Sequence, residues 1–128
     1  MEYTTKSIIK DLQDYRSHEI DLQTQEAVLT RLMLREQKYG NIDLKSKEYR
    51  TRIQQQIADN TEHYLRILEY LEVLHGEMRS VLEMYYILGE SWSNVAKKLY
   101  QSERNIYLLR NKAIKTIVTT LNQKGRAY

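Results

Sequence analysis

Residues 89–121 read GESWSNVAKKLYQSERNIYLLRNKAIKTIVTTL and predict two helices joined by a short linker. The first is predicted over 92–99, where apolar side chains share one face: Trp92, Val95, Ala96 and Leu99. Ala96 is small enough to let a second helix cross closely. Ser102 follows a short break and is a good N-cap for that second helix. The stretch therefore predicts a helix-turn-helix.

The second helix has a core-facing side and an outer side. Advancing 100° per residue groups four apolar residues on the side that faces the core: Ile106, Leu109, Ala113 and Ile117. The outer side and its flanks carry a different set of groups: Arg104, Tyr107, Leu108, Asn111, Lys112 and Lys115. A leucine is unusual on a polar outer face, so this side is a candidate recognition surface.

Basic residues are concentrated at the C-terminal end of the chain. Residues 91–128 contain eight basic residues and one acidic residue, a formal charge of +7, while residues 1–90 carry −4. A basic end on a slightly acidic body favours a polyanionic partner. On charge alone, a solvated lysine-rich helix face is the equal alternative.

The outer side of the second helix has the chemistry for reading double-stranded DNA. Arg104 can pair with guanine, Asn111 with adenine, and Leu108 can contact a thymine methyl group. Phosphate contacts are expected from three lysines: Lys97, Lys98 and Lys115. Flanking residues complete the candidate DNA-binding set: Ser102, Tyr107 and Lys112. A plain helical bundle with a charged surface is the competing interpretation.

Residues 1–75 predict a long, coiled-coil-like helical hairpin. Residues 3–39 carry a narrow apolar stripe: Ile8, Leu12, Tyr15, Leu22, Leu29 and Met33. Gly40-Asn41 is the strongest break signal, and Asp43 is a suitable N-cap for the next helix. That helix follows a heptad: Ile53, Ile57, Asn60, Tyr64, Ile67, Leu71 and Leu74.

We expect the two long helices to pack antiparallel, with an intermolecular coiled coil as the alternative. Asn60 is interpreted as a partly hydrated seam position rather than one that fixes register. Residues 76–128 open with a broader apolar face: Met78, Val81, Leu82, Tyr85, Tyr86 and Leu88. Gly89 is expected to end that helix, and residues after Leu121 are expected to fray. The predicted fold is all-α, with the hairpin at 1–75 and a helix-turn-helix DNA-binding domain at 76–128.

Other functional classes find little support in the sequence. The chain has no cysteine, which excludes disulfides and thiolate metal sites and fits a cytoplasmic protein. No apolar run approaches the roughly 20 residues of a membrane span, and no signal peptide is expected. The histidines lack metal-ligand spacing: His18, His63 and His75. No phosphate loop or nucleophile motif is present, so we expect neither enzyme activity nor a cofactor or metal.

Residues 79–117, RSVLEMYYILGESWSNVAKKLYQSERNIYLLRNKAIKTI, resemble region 4 of sigma-70-type factors. Six positions match its Ser-capped helices and apolar pattern: Ser91, Val95, Ala96, Ser102, Ile106 and Ala113. The chain departs from that pattern at Tyr100, where glycine is common, at Gln101, where an apolar residue is usual, and at Arg110, where leucine is common. Arg110 is expected to turn inward, toward Glu83 or Glu90.

The whole chain is similar to small phage and prophage regulators of Gram-positive bacteria, including ArpU-like and RinA-like proteins. The resemblance implies a phage-encoded transcriptional regulator that recognises a promoter or operator. It also implies RNA polymerase as a further partner, with the hairpin positioning the protein, contacting the polymerase or forming a homodimer. The alternative function is a DNA-packaging protein of the small-terminase type. A helical scaffold that binds only protein is a third interpretation.

Overall fold

The computed structural model describes residues 2–40 and 43–126, with the backbone alone at 125 and 126. Its elements are α1 (Thr5–Tyr39), α2 (Leu44–Glu72), α3 (Gly76–Leu82), a π-helical turn (Glu83–Ile87), α4 (Trp92–Leu99) and α5 (Glu103–Arg126). The predicted all-α class is confirmed. Within the described ranges, no helix combines the length and the apolar character needed to cross a bilayer.

The break between the two long helices lies where it was predicted. Gly40 has a φ of +80°, in the left-handed region that glycine adopts without strain. Asp43 caps α2, because its Oδ1 accepts a hydrogen bond of 2.8 Å from the backbone N–H of Ser46. This bond lowers the pKa of Asp43 below its ordinary value. Asn41, the other predicted turn residue, lies outside the described residues.

Residues 17–65 form one compact unit in which α1 and α2 run antiparallel. Arg50 Nη1 lies 2.5 Å from Glu36 Oε2, near the turn. Farther along, Nδ1 of His18 lies 2.6 Å from Oδ1 of Asn60. Because the α1 residue number falls as the α2 number rises, the predicted antiparallel hairpin is present in this unit.

The interpretation of Asn60 as a hydrated position is wrong. Asn60 is only 8% exposed, and its Nδ2 donates a hydrogen bond of 2.7 Å to Gln25 Oε1. Its Oδ1 is thereby assigned as the acceptor of the His18 Nδ1–H bond. His63 is buried and stacks on His18, with 4.0 Å between the ring centroids. His63 thus takes the seam position that was predicted for Tyr64, and Tyr64 is exposed. The exchange is possible because both residues lie near the seam, one helical turn after Asn60.

The second compact unit contains the residues up to Arg16 and those from Arg66 onward. Its main core combines α1, α2, α3, the π-helical turn and α5: Ile8, Leu12, Tyr15, Ile67, Tyr70, Leu71, Leu74, Leu82, Tyr86, Ala113, Ile114, Ile117 and Leu121. The start of α1 therefore packs in the same core as α5. The domain boundary predicted at residue 75 stays a prediction.

A smaller apolar cluster joins α3, α4 and α5: Val81, Val95, Ala96 and Ile106. Ala96 is only 6% exposed, so the small side chain is buried as its position predicted. The partly buried Leu109 packs against the same cluster. These contacts hold α4 and α5 together.

Two polar pairs fix chain segments at the edges of this unit. The hydroxyl of Tyr70 donates to Oδ2 of Asp11 at 2.5 Å. Burial, and then this bond, raise the pKa of Tyr70. Asn122 bonds the backbone of Tyr3 twice, accepting from its N–H at 2.8 Å and donating to its carbonyl at 2.9 Å. The expected fraying after Leu121 is therefore wrong at Asn122, and α5 continues to Arg126.

The helix before α4 does not end as a regular α-helix. Its last residues form the π-helical turn, and Gly89 then reverses the chain with a φ of +72°. This confirms Gly89 as the end of the helix. Leu88, however, was predicted on the apolar face and is 65% exposed. The wider π-helical turn rotates the residues that follow it relative to an α-helical phase, which removes Leu88 from the core.

Candidate nucleic-acid interface

Serine side chains start both C-terminal helices. The Ser91 hydroxyl accepts a hydrogen bond of 3.1 Å from the backbone N–H of Asn94 and so caps α4. The Ser102 hydroxyl accepts an equivalent bond of 3.1 Å from Asn105 and caps α5. Both caps satisfy backbone donors that the first helical turn leaves free. The candidate residue Ser102 therefore has a structural role, and its hydroxyl hydrogen can still be donated outward.

Tyr100 ends α4 in a conformation that usually belongs to glycine. Its φ and ψ are 56° and 40°. Its own N–H bonds the Lys97 carbonyl at 3.3 Å, and the next N–H, from Gln101, bonds the Ala96 carbonyl at 3.0 Å. This pair of bonds is the Schellman arrangement of a helix C-terminus. A tyrosine in this left-handed conformation costs about 1 kcal/mol relative to glycine.

Six residues of α5 form a continuous exposed stripe, called the α5 stripe below: Arg104, Tyr107, Leu108, Asn111, Lys112 and Lys115. Their spacing alternates between three residues and one, so they share one side of the helix over about 16 Å. None of the six is acidic. The buried residues Ile106, Ala113 and Ile117 occupy the other side, which confirms the predicted helix phase. Contact of the stripe with DNA stays a prediction.

Two apolar side chains in the α5 stripe are open to solvent. Tyr107 is 54% exposed and Leu108 is 55% exposed. Together with Trp92, Glu103 and Arg104 they line a groove of about 570 Å³ beside the first turn of α5. Trp92 packs against the small apolar cluster, as its predicted place on the core side of α4 requires, but it is only partly buried and also borders this groove. The apolar spacing of α4 could not predict the partial exposure of Trp92, because spacing does not show which edge of an apolar face another helix covers.

The lysines of α4 differ in their surroundings. Lys98 forms an ion pair with Oε1 of Glu90, which compensates its charge. Lys97 is exposed and has no acidic partner in the described part of the chain. The same holds, within the described residues, for three basic residues of the α5 stripe: Arg104, Lys112 and Lys115. Lys97 is thus better placed than Lys98 to meet an external anion.

Arg110 connects the buried core to the α5 stripe. Its Nε and Nη2 donate to the hydroxyl of Tyr86 at 3.1 and 2.9 Å. Its Nη1 donates to Oδ1 of Asn111 at 2.9 Å. The guanidinium carbon also lies 5.7 Å from the ring centroid of Tyr107. The amide of Asn111 is therefore held by a side chain that is itself anchored in the core.

The partners predicted for Arg110 are wrong, although the side chain does turn inward. Glu83 Oε1 accepts a bond of 2.5 Å from Arg79, one helical turn earlier. Glu90 binds Lys98 instead. Both carboxylates thus have other cationic partners, and the buried phenol of Tyr86 takes their place. Sequence spacing could not reveal this, since a tyrosine at a core position carries no signal for an arginine partner.

In comparisons with known proteins, the chain matches no protein-family model, no curated protein and no solved structure. The likeness to sigma region 4 therefore rests on the quoted residues alone.

Proposed function

We propose that this protein is a sequence-specific DNA-binding transcriptional regulator in which α4 and α5 form a helix-turn-helix. In this proposal α5 lies in the major groove, as recognition helices do. The observation that carries the proposal is the α5 stripe, an exposed, acid-free set of basic, amide and apolar side chains on one side of a capped helix. Its length of about 16 Å is enough to contact several consecutive base pairs.

Three residues of the α5 stripe supply the base contacts in this proposal. Arg104 donates two hydrogen bonds to guanine, Asn111 pairs with adenine, and Leu108 meets a thymine methyl group. The bond from Arg110 occupies one lone pair of Asn111 Oδ1, while the second lone pair and the Nδ2 donors remain available. The anchor on Tyr86 holds the amide in place before DNA arrives, which reduces the entropy lost on binding.

Phosphate contacts come from the exposed lysines at the edges of this surface. Lys97, Lys112 and Lys115 have no acidic partner in the part of the chain that the structure describes. Lys98 must leave Glu90 before it binds phosphate, so we assign it a smaller contribution. Affinity should then fall steeply with salt, because each neutralised phosphate releases counterions.

The hairpin is assigned to protein contacts. Within residues 17–65, several large apolar side chains are exposed: Ile20, Met33, Leu34 and Leu65. Apolar groups exposed on a helical surface favour association with another protein. We propose a second copy of this chain, or RNA polymerase, as that partner. A phage origin and a promoter or operator target follow from the resemblance to sigma region 4 and to the phage regulators.

Selection of binding sites from random duplexes tests this function, combined with a measurement of mass in solution. A regulator should enrich one defined sequence and remain a monomer or a small oligomer such as a dimer. Binding without sequence enrichment by a ring-sized assembly would instead support DNA packaging. A protein that binds no duplex even at low salt would be a scaffold, and the proposal would be wrong.

A further inference from the structure

A cleft of about 540 Å³ lies within the second compact unit and shares Trp92 and Tyr107 with the groove beside the first turn of α5. Its walls come from the start of α1, the π-helical turn, the segment from Gly89 to Trp92, and α5. Sites for small ligands have volumes of about 300–1,000 Å³ and combine apolar walls with a few polar groups. The cleft is within that range, and its lining has both components.

Arg16 has a defined place in this cleft. Gly89 has a φ of +72°, and a Cβ built on it would lie 1.9 Å from Nη1 of Arg16 and 2.9 Å from its Cζ. The guanidinium therefore packs directly on the Gly89 backbone, and a side chain at this position would displace it. Glycine suits this position because its φ lies in the left-handed region, and a side chain there would also have to move the flexible Arg16.

The cleft carries an excess of positive charge. Arg16 and Arg110 both line it, and neither pairs with a carboxylate among the described residues. Arg110 bonds only neutral groups, and a guanidinium has five N–H donors, so donors remain for a ligand. Glu90 is the carboxylate in the lining; its Oε1 pairs with Lys98, and its Oε2 is buried without a hydrogen-bond partner among the described residues. Two uncompensated guanidinium groups thus face one space.

The apolar walls are flat aromatic rings. Tyr85 stacks on Trp92 with 3.7 Å between centroids and an angle of 11° between planes. The Tyr86 ring meets Tyr85 edge to face, with centroids 4.8 Å apart. Tyr107 completes the lining on the α5 side. Tyr85 and Tyr86 both lie on the π-helical turn, a feature that frequently marks functional sites.

We propose that this cleft binds a small aromatic anion, a planar ring that carries one carboxylate or sulfonate group. The ring packs against the aromatic wall, and the acid group accepts hydrogen bonds from Arg16 and Arg110. Arginine suits this task because its planar fork matches the geometry of such an anion. The proposal concerns binding alone and does not depend on whether the protein binds DNA.

The full chain supplies its own reporter, because Trp92 is the single tryptophan. The probe is 8-anilinonaphthalene-1-sulfonate, an aromatic anion, and N-phenyl-1-naphthylamine is its uncharged counterpart. We expect the sulfonate to change Trp92 fluorescence in a saturable, one-to-one titration. Arg16→Gln should weaken sulfonate binding about tenfold, since it removes a charged hydrogen-bond donor. The uncharged probe should bind the variant and the wild-type protein alike.

Two matched variants refine the test. Lys6→Gln removes one exposed positive charge from the same helix and should leave sulfonate affinity unchanged. Arg16→Lys should recover part of the affinity, because it keeps the charge and loses the planar fork. Arg16 is exposed, so its variants should retain the wild-type melting temperature. Equal sulfonate affinity in wild-type and Arg16→Gln protein, or binding that leaves Trp92 fluorescence unchanged, would overturn the proposal.

Discussion

Arg110 and Tyr86 are joined by two hydrogen bonds from one guanidinium to one phenol oxygen, at 3.1 and 2.9 Å. Tyr86 is 5% exposed and belongs to the main core, whereas Asn111, which Arg110 also bonds, lies in the α5 stripe. The contact therefore connects core packing to the side chain proposed to read adenine. It also explains how the charged side chain of Arg110 is accommodated where α5 meets the core.

Tyr86→Phe tests this connection. The variant keeps the buried ring but removes the acceptor of both Arg110 bonds, so the free energy of unfolding should fall by about 1–2 kcal/mol. Tyr107→Phe is the matched control, because the Tyr107 ring is half exposed, and its effect should stay within about 0.5 kcal/mol. Denaturant titration measures both values. Equal stability of the two variants would show that the Arg110 bonds contribute nothing.

Ala96→Glu tests the crossing of α4 and α5. A glutamate at this buried position overpacks the small cluster and places a charge in it, which should cost about 2–4 kcal/mol. Asn94→Glu introduces the same residue on the same helix at an exposed position. There it completes a capping box with Ser91, so stability should be unchanged or slightly higher. If Ala96→Glu melted at the wild-type temperature, the crossing would be refuted.

Tyr100→Gly should stabilise the protein. Glycine adopts the left-handed conformation of this C-terminal position without the Cβ penalty, which amounts to about 1 kcal/mol. Tyr100→Ala also removes the exposed ring but keeps the Cβ, so it should show no comparable gain. The informative quantity is the difference in unfolding free energy between the two variants. A difference near zero would mean that the turn relaxes away from this conformation.

The Asp43 cap should make stability depend on pH. Its pKa is lowered from 3.8 in the folded protein by the bond from Ser46, so the charged carboxylate favours folding. This contribution is fully present above the ordinary pKa and is lost as the pH falls through the lowered value. Asp43→Asn keeps a good cap that does not titrate.

Melting temperatures of the wild-type protein and Asp43→Asn, measured from neutral pH down to about pH 2, isolate this effect. The wild-type protein should lose stability relative to the variant only below about pH 4. A difference that stays constant over the whole range would show that Asp43 does not cap α2 through its charged form.

Features that depend on neighbouring residues could be predicted from the sequence. The Ser102 and Asp43 caps need only the backbone N–H three residues ahead, and both are present. The phase of α5 follows from its 3.6-residue apolar period, which placed Ile106 and Ala113 in the cores. Local chemistry and helix geometry were sufficient for these elements.

Features that depend on distant residues could not be predicted. The guanidinium of Arg16 lies on Gly89, and no local pattern connects the two positions. In the hairpin, the choice of His63 over Tyr64 for the seam depends on the facing His18, with which it stacks. The cleft with its two arginines and the inward partner of Arg110 arise in the same way, from contacts that only the folded chain brings together.

Whether α5 reads bases can be decided by comparing DNA affinities among three variants. Affinity should be measured for a selected duplex and a random duplex over a salt series, with Arg104→Ala and Asn111→Ala beside Lys115→Ala. The first two variants should lose about 1–3 kcal/mol on the selected duplex and relax base preference there. Lys115→Ala should weaken both duplexes alike and lower the salt slope by about one. If Arg104→Ala and Asn111→Ala weakened both duplexes equally, α5 would not be reading bases, and the proposed sequence-specific function would be wrong.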